Sequence, residues 1–500
     1  MGRANCLKTP WTFRSWGLIA AALLVALLGI STQSFWMDEA STARSATQPT
    51  FIGWWQYLTS HSGTDTQMPL FMLYIWGWVK LFGCTEWGLR AANAPWLVLG
   101  FLALPRRQAG YVLVLALSPF LWFYADEARP YVMQIAASLV LAGSLVRLLD
   151  LAATAPGETA KVERRSVGGF CFGLIVLSGS SMLGMIWAGA AVGSFLLLLG
   201  VRYSARLARQ CWLPLLVTAL ILTGFAGYYL WTLRHGNAAT PGATGLGNVV
   251  FIAYELCGFA GLGPGRADIH GSGMTAFRSW YLLPLAIYGL VTATVLFAGV
   301  GRVIREIPRR IWLGLLLPLG GVTLLLLVAG KTRHMTMLGR HFAPLGVCLL
   351  LLVGAGVQRL GQAGGWRRFL AFAWLFLSLI SAVSLRWCDR HQKDDYRAAA
   401  RLIIAAQARG ERVWWCADGT CGFYYAGPLS PPLSPVAVPG KVWLNANAPA
   451  QWLTNNPMPT LVLLSKPELH DRNGVVRDYL QRNHFVCQQS FSVFTVWARP

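Results

Sequence analysis

Two adjacent carboxylates, Asp38 and Glu39, follow directly after the first apolar stretch of this 500-residue chain. The sequence contains only 20 acidic residues, so a pair at the mouth of an apolar segment is unusual. Acids at a membrane surface are unfavourable unless they are paired or used in chemistry. The pair therefore has two interpretations. Either the carboxylates are solvated charges that end a helix, or one of them accepts a proton from a substrate hydroxyl.

Charged and polar side chains collect in three short segments. The segment 35–81 adds Arg44, His61, Asp65 and Gln67 to the acidic pair. The segment ADEARPY (125–131) contributes Asp126, Glu127 and Arg129, and KTRHMTMLGRHFAP (331–344) contributes Arg333, His334, Arg340 and His341. In one polar crevice, a carboxylate would take the hydroxyl proton while arginines stabilise a departing phosphate. The structural alternative for each segment is an ion pair or a snorkelling arginine that holds helix ends in register.

The composition identifies an integral membrane protein. Hydrophobic residues make up 55% of the chain and charged residues only 12%, against roughly 25% charged residues in soluble proteins. The net charge is +22, but the basic residues form short clusters between apolar runs and no single basic face. This pattern is the positive-inside signal of a membrane protein and excludes nucleic acid as the partner.

Apolar runs predict the membrane helices. The run 16–30 predicts a retained first helix with a cytoplasmic N-terminus, because no small-residue cleavage site follows it. Further spans are predicted at 89–105, 110–125, 130–149, 167–181, 183–201, 211–232, 280–300, 311–330, 342–357 and 369–386. This makes about eleven spans. The shorter run from Pro69 to Phe82 predicts a helix on the outer surface, with one more span as the rival interpretation.

The basic clusters set the orientation. Under this count, every connection on the cytoplasmic side carries arginine or lysine: 106–107, 161–165, 202–209, 302–310 and 359–368. All three charged segments then face the periplasm of a bacterial inner membrane.

The polar region 389–500 predicts a small periplasmic α/β domain, and 1–388 predicts a membrane catalytic domain with a periplasmic loop at 35–88. The expected elements of the polar region are helices at 394–409 and 471–483, and strands at 412–416, 460–464 and 491–498. A proline-rich loop is expected at 428–439. Cys416 and Cys421 could form a disulfide in an oxidising compartment, or remain free thiols.

The order of the motifs resembles that of a known superfamily. An Asp-Glu pair after the first helix is followed by QMPLFMLYIWGWVKLFG, then EARPY, then GRHFAPL. This order resembles the GT-C membrane glycosyltransferases, in the bacterial branch related to protein O-mannosyltransferases and lipid A aminoarabinose transferases. The resemblance covers residues 15 to about 390 and implies an α-helical polytopic membrane protein of GT-C type. It also implies transfer of a sugar from a polyprenyl-phosphate donor to a lipid, glycan or protein acceptor on the periplasmic side.

The resemblance also assigns site residues. It implies that Asp38 is the catalytic base or orients the acceptor, with Glu39 as its supporting neighbour and Glu127 as a second carboxylate. The candidates for binding the donor phosphate or the substrate are Arg129, Arg340, His341, Arg44, Asp65 and Gln67.

Two features depart from the superfamily. Relatives often have His-Pro-Pro or Glu-Lys-Pro where this chain has Gln67-Met68-Pro69, which leaves both metal-dependent and metal-independent chemistry open. If a cofactor takes part, a divalent metal is the candidate. The glycine-rich segment 258–273 matches no motif, and we expect it to be a flexible loop that closes over an acceptor.

Two other functional classes fit many of these features. A lipid-linked glycan flippase or other transporter also needs many spans, but transporters place charges near the bilayer midplane and often show internal repeats. Here the charges lie at one face and the sequence shows no repeat. A non-catalytic envelope assembly protein, whose outer domain binds a partner, is the third hypothesis.

Overall fold

The computed structural model describes residues 13–60, 63–105, 108–154, 164–235, 242–430, 440–444 and 450–500. His61 and most of the proline-rich loop lie outside these ranges. The chain forms two compact units. The helical unit comprises the described parts of Met1–Ser31, Trp55–Gly83 and Trp87–Gln392, and the C-terminal unit comprises those of Thr32–Trp54, Cys84–Glu86 and Lys393–Pro500. Residues 32–54 and 84–86, expected in the membrane domain, are thus in the C-terminal unit.

The helices are, in chain order, α1 Phe13–Leu27, α2 Met37–Ala46, α3 Phe51–Ser60, α4 Pro69–Phe82, α5 Glu86–Arg90, α6 Ala94–Ala103, α7 Ala109–Ala116, α8 Pro119–Ala125, α9 Tyr131–Thr154, α10 Arg164–Ser180, α11 Met182–Gln210, α12 Trp212–His235, α13 Leu246–Leu256, α14 Arg266–Ser272, α15 Ser279–Glu306, α16 Arg309–Thr332, α17 Ala343–Ala363, α18 Gly365–Trp387, α19 Tyr396–Ala408, α20 Gly419–Ala426, α21 Ala450–Asn455, α22 Pro467–His470 and α23 Val475–Arg482. The strands are β1 Val413–Cys416, β2 Lys441–Trp443, β3 Leu461–Ser465, β4 Val486–Phe491 and β5 Phe494–Ala498.

The described residues contain six helices that are long and apolar enough to cross a membrane, or seven if the bent helix α11 counts as one span. A polytopic membrane protein is therefore supported, but the predicted count of about eleven spans is not established. One predicted span, 110–125, consists of two short helices, α7 and α8. The break follows from the sequence: Ser118 caps α8 by accepting the N–H of Leu121 at 3.3 Å, and Pro119, which lacks an N–H, occupies its first turn.

The break between the predicted spans 167–181 and 183–201 is present. Helix α10 ends at Ser180 and α11 begins at Met182. The hydroxyl of Ser181 accepts the N–H of Gly184 at 2.9 Å and so caps α11. One serine with extended backbone is thus sufficient to separate the two helices.

Small residues let α15 and α17 pack closely in the helical unit. A Cβ on Gly356 of α17 would overlap the carbonyl oxygen of Val295 of α15, and a Cβ on Gly299 would overlap that of Leu352. Helices in membranes associate through such close backbone approaches, because lipid gives little hydrophobic drive for association. The two glycines therefore fix the crossing of these helices.

The C-terminal unit is built on a five-stranded sheet with the order β2-β1-β3-β5-β4. Strand β1 pairs in parallel with β2 and β3, while β5 runs antiparallel to both β3 and β4. Trp414 lies opposite Val462, which lies opposite Trp497. One face of the sheet packs on Leu480 of α23 and on Phe485. The predicted strands and helices of this region are confirmed within a few residues. Strands β2 and β4 and the short helices α20, α21 and α22 were not predicted.

Cys416 and Cys421 are free thiols, and both are buried. Cys416 lies in β1 and contacts the carbonyl oxygen of His470 at 3.2 Å. Burial raises the pKa of both thiols. In the structure both cysteines pack as small core residues, and no disulfide joins them.

Replacing Gly356 with alanine tests the helix crossing. We expect Gly356→Ala to lower the free energy of unfolding by about 1–3 kcal/mol, because the added methyl group forces α15 and α17 apart. The measurement is thermal unfolding in detergent. Gly361→Ala is the matched control in the same helix, since no heavy atom lies within 4 Å of a Cβ there. An equal shift in the two variants would contradict the proposed role of the crossing.

Candidate active site

Glu39 is held in the first turn of α2 in the C-terminal unit. Its side chain is fully buried and pairs with Lys393, whose Nζ lies 3.0 Å from Oε2. The same oxygen accepts the N–H of Trp36 at 3.4 Å, and acids are favourable at a helix N-terminus. Asp38 precedes it in the same turn and is half-buried. The two carboxylates thus differ in environment, since one is enclosed and the other reaches solvent.

Arg44 lies in the last turn of α2. Its guanidinium stacks on the ring of Phe423 in α20, 4.1 Å from the ring centroid. Such a contact is a cation–π interaction of roughly 0.5–2 kcal/mol. In this conformation Arg44 helps to pack α2 on α20.

Asp65 and Arg129 form a buried ion pair in the helical unit. Arg129 Nη1 lies 2.5 Å from Asp65 Oδ1, and the two side chains are 3% and 11% exposed. Arg129 also donates to the hydroxyl of Thr64 at 3.1 Å. Asp65 belongs to a one-turn 3₁₀ helix, Thr64–Gln67, that leads into α4. The pair therefore ties the turn before α4, including the half-buried Gln67, to the start of α9.

Asp126 has a structural role. Its carboxylate accepts the N–H of Ser31 at 2.6 Å and the Ser31 hydroxyl at 3.0 Å. The fully buried Arg90 lies 3.8 Å from the same carboxylate and donates to the carbonyl of Ser31 at 3.1 Å. These contacts hold the chain in place at Ser31, just after the end of α1. Sequence reasoning missed Arg90, although an arginine within the apolar stretch WGLRAANAPW is a signal for a buried partner.

Glu127 belongs to a second ionic cluster, centred on Arg266 at the start of α14. Arg266 Nη1 lies 3.9 Å from Glu127, and Nη2 pairs closely with Glu255 of α13. The guanidinium also stacks on Phe123, 3.9 Å from the ring centroid. Burial alone would lower the pKa of Arg266, but Glu255, Tyr124 and Glu127 outweigh it and raise that pKa. Arg266 therefore stays charged between two carboxylates.

The Arg266 cluster also reaches the third charged segment. Glu255 Oε2 accepts the N–H of Gly339 at 2.8 Å. A Cβ on Gly339 would lie 2.5 Å from the same oxygen, so this position of the GRHFAPL motif requires glycine. The segments 125–131 and 331–344 are thus brought together in the helical unit, as the sequence predicted. That the Asp38 segment joins them stays a prediction.

Arg340 and His341 lie in the 3₁₀ turn Gly339–Phe342, and both are half-buried. His341 Nδ1 accepts the N–H of Leu338 at 3.1 Å. Its carbonyl accepts the indole N–H of Trp187 at 2.9 Å. A ring nitrogen that accepts a hydrogen bond is unprotonated, which leaves the proton of His341 on Nε2. His341 thus holds its own turn and presents one N–H donor.

The glycine-rich segment 258–273 contains the 3₁₀ turn Phe259–Gly261 and the short helix α14, and its closure over an acceptor stays a prediction. Cβ atoms on Gly261 and Gly265 would overlap the carbonyl oxygens of Ser381 and Arg390. Arg390 Nη2 donates to the carbonyl of Gly261 at 2.9 Å. Burial, followed by the charge of Arg390, lowers the pKa of His391 to about 4, so this neighbour is neutral at pH 7. The glycines permit close packing on the end of α18, and the segment thereby presents Arg266.

In the part of the chain that the structure describes, no group of three or more histidine, cysteine, aspartate or glutamate side chains is arranged to hold a metal ion.

Comparisons with known proteins identify the fold. No protein-family model matches the chain, and a search of curated proteins finds no match. The crystal structure of ArnT from Cupriavidus metallidurans in the apo state is 12% identical, with a TM-score of 0.54, and the match covers 97% of this chain and 98% of that one. The chain therefore has the fold of ArnT.

Two further structures are similar at lower scores. ArnT from Cupriavidus metallidurans bound to undecaprenyl phosphate is 13% identical with a TM-score of 0.48, over 97% of this chain and 98% of that one. The cryo-EM structure of the arabinofuranosyltransferase AftD from Mycobacteria is 14% identical with a TM-score of 0.43, over 98% of this chain and 40% of that one.

Removing Arg129 tests the buried ion pair with Asp65. We expect Arg129→Met to lower the free energy of unfolding by about 3–5 kcal/mol, because it leaves the Asp65 charge buried without its arginine. The double variant Arg129→Met/Asp65→Asn should recover part of this loss, as measured by thermal unfolding in detergent.

Arg302→Met is the control for this experiment. It breaks the more exposed pair with Glu306, in which Nε lies 3.1 Å from Oε2, and such a pair contributes about 1 kcal/mol or less. A loss for Arg129→Met as small as that for Arg302→Met would contradict the assignment.

Proposed function

We propose that this protein is an integral membrane glycosyltransferase that moves a sugar from a polyprenyl-phosphate donor to an acceptor on the periplasmic face of a bacterial inner membrane. The observation that carries the proposal is the fold of ArnT over 97% of the chain. The order of the DE, QMPL, EARPY and GRHFAPL motifs also supports the proposal. This order resembles that of the GT-C glycosyltransferases and comes from the sequence, without the fold. The acceptor is a lipid, a glycan or a protein.

The proposed reaction is a single inverting displacement. The acceptor hydroxyl oxygen forms a bond to the anomeric carbon of the sugar, and the bond between that carbon and the phosphate oxygen breaks. The bonding electrons leave with the phosphate, and the hydroxyl proton passes to the base. A carboxylate is suited to the base, and a guanidinium to the developing phosphate charge.

Asp38 is the proposed base. It is half-buried, whereas Glu39 beside it is fully buried and paired with Lys393. A base must reach its substrate, so exposure favours Asp38, and enclosure favours a supporting role for Glu39. Glu127 is the proposed second carboxylate, with its charge balanced by Arg266.

Arg340 is the first candidate for the donor phosphate. Arg129 is only 3% exposed and is bonded to Asp65, so we assign it to holding the turn before α4. His341 would add a donor through Nε2–H, while Gln67 and Arg44 remain candidates for substrate contacts. Guanidinium groups bind phosphate through paired hydrogen bonds, which makes Arg340 the residue to test after Asp38.

The proposed orientation follows from the basic residues. Arg302, Arg305 and Arg309 lie where α15 ends and α16 begins, and such clusters favour the cytoplasmic side. The N-terminus would then be cytoplasmic and the C-terminal unit periplasmic, where polyprenyl-phosphate sugars would be used.

Turnover with defined donors tests the proposal. Purified protein in lipid nanodiscs is incubated with a panel of radiolabelled polyprenyl-phosphate sugars and a membrane-lipid extract as acceptor, and release of polyprenyl phosphate is measured. We expect turnover with at least one donor and a loss of about 10²–10⁴-fold in Asp38→Asn, the range for a general base. Asp478→Asn, at an exposed site in α23, is the matched control and should keep full turnover.

Two results would overturn this function. One is the absence of turnover with every donor, and the other is equal turnover in wild type and Asp38→Asn. Movement of a labelled lipid-linked glycan across a proteoliposome membrane, without transfer of its sugar, would instead favour the transporter hypothesis.

A further inference from the structure

Residues 393–397, which lead into α19, bind the chain segment just before the acidic pair. Within the C-terminal unit, the backbone N–H of Lys393 donates to the side chain of Gln33 at 3.1 Å, and that of Arg397 donates to the hydroxyl of Ser34 at 3.3 Å. The guanidinium of Arg397 reaches the carbonyl of Thr32 at 2.5 Å. Residues 32–34, just before α2, are therefore held by backbone and side-chain contacts from 393–397.

A second set of contacts holds the same segment through Glu86. Arg397 Nη2 lies 2.7 Å from the Glu86 carboxylate, and the hydroxyl of Tyr425 donates to that carboxylate at 2.9 Å. The Tyr425 oxygen also accepts the N–H of Phe35 at 2.7 Å. Burial raises the pKa of Tyr425, so its hydroxyl stays protonated and can donate and accept at once. The start of α2 is thus fixed on both sides.

The ion pair between Lys393 and Glu39 adds a direct contact to one of the two carboxylates. Glu39 is fully buried and the Lys393 side chain is 14% exposed. A buried carboxylate keeps its charge and its rotamer only when a partner compensates for the lost water. Asp38 and Glu39 are consecutive in one helical turn, so a shift of the Glu39 backbone moves Asp38 with it.

We propose that Lys393 is a positioning residue for the transfer reaction: by holding Glu39 it fixes the first turn of α2 and so the place of the Asp38 carboxylate. The inference rests on the proposed function and adds a role for the C-terminal unit. That unit would set the geometry of the acidic pair, beyond any part it plays in binding the acceptor.

The test compares Lys393→Met and Lys393→Arg with Arg477→Met. Arg477 pairs with Asp471, with Nε 3.3 Å from Oδ2, so its removal breaks an ion pair in the same unit that does not involve α2. Turnover and KM for the donor are measured in nanodiscs, and hydrogen–deuterium exchange is measured over residues 32–46.

We expect Lys393→Met to lower kcat by about 10²-fold, the effect of a misplacement near 1 Å, with the donor KM changed less than about threefold. Lys393→Arg should restore most of the turnover, because it keeps the charge. Exchange over 37–46 should rise in Lys393→Met and stay at the wild-type level in Arg477→Met. A merely structural lysine would instead lower the amount of folded protein and leave kcat per folded molecule unchanged.

Glu39→Gln/Lys393→Met keeps the test decisive if Lys393→Met fails to fold, because it removes both buried charges. We expect the double variant to fold and to remain slow. Wild-type kcat in it, or unchanged exchange over 37–46 in Lys393→Met, would overturn the proposal. If the wild type turns over no donor, the proposed function fails, and exchange alone then decides whether Lys393 fixes α2.

Discussion

The structure depends on how a chain with few charges accommodates those that lie away from water. A buried ionised group is unfavourable by several kcal/mol unless a partner and further hydrogen bonds replace its hydration. In the described residues, Arg90 meets Asp126, Arg129 meets Asp65, Arg266 meets Glu255, and Lys393 meets Glu39. Three of these pairs join segments that are far apart in sequence, and Arg266 joins Glu255 across 11 positions. The ion pairs therefore determine which loops meet, while the apolar helices provide the scaffold on which they do so.

Much of this organisation could be predicted from the sequence. Long apolar runs indicated membrane helices because a bilayer requires about 20 apolar residues per span, and α15 to α18 lie close to the predicted ranges. Short apolar runs indicated β1 and β3, whose residues are all buried, and β5, in which buried residues alternate. Strand β4 was missed because all but its last residue are exposed, so it has no buried face and no alternating pattern. One predicted span, 110–125, is divided into α7 and α8, because Ser118 and Pro119 interrupt the apolar run.

The sequence indicated which residues belong to the candidate site better than it indicated the role of each one. Glu127 and the 339–341 turn meet through Glu255 of α13 and Arg266 of α14. Arg266 lies in the segment whose glycines suggested flexibility. Sequence patterns record local preference, whereas the need for glycine at Gly261 or Gly339 comes from a carbonyl or carboxylate that lies there in three dimensions. Lys393 could not be predicted from local pattern either, because its partner lies 354 residues away in the chain.

Exposure then separates residues that share a chemistry. Among the carboxylates, Glu39 is fully buried against Lys393, whereas Asp38 is half-buried at the start of its helix. Among the arginines, Arg129 is enclosed with Asp65, and Arg340 is half-buried. A group fixed in a buried pair is suited to hold geometry, because moving it would expose an unpaired charge. A group that reaches solvent is suited to meet a substrate, because binding can replace its water. Asp38 and Arg340 are therefore the stronger candidates for chemistry, and their enclosed neighbours for the positioning on which that chemistry depends.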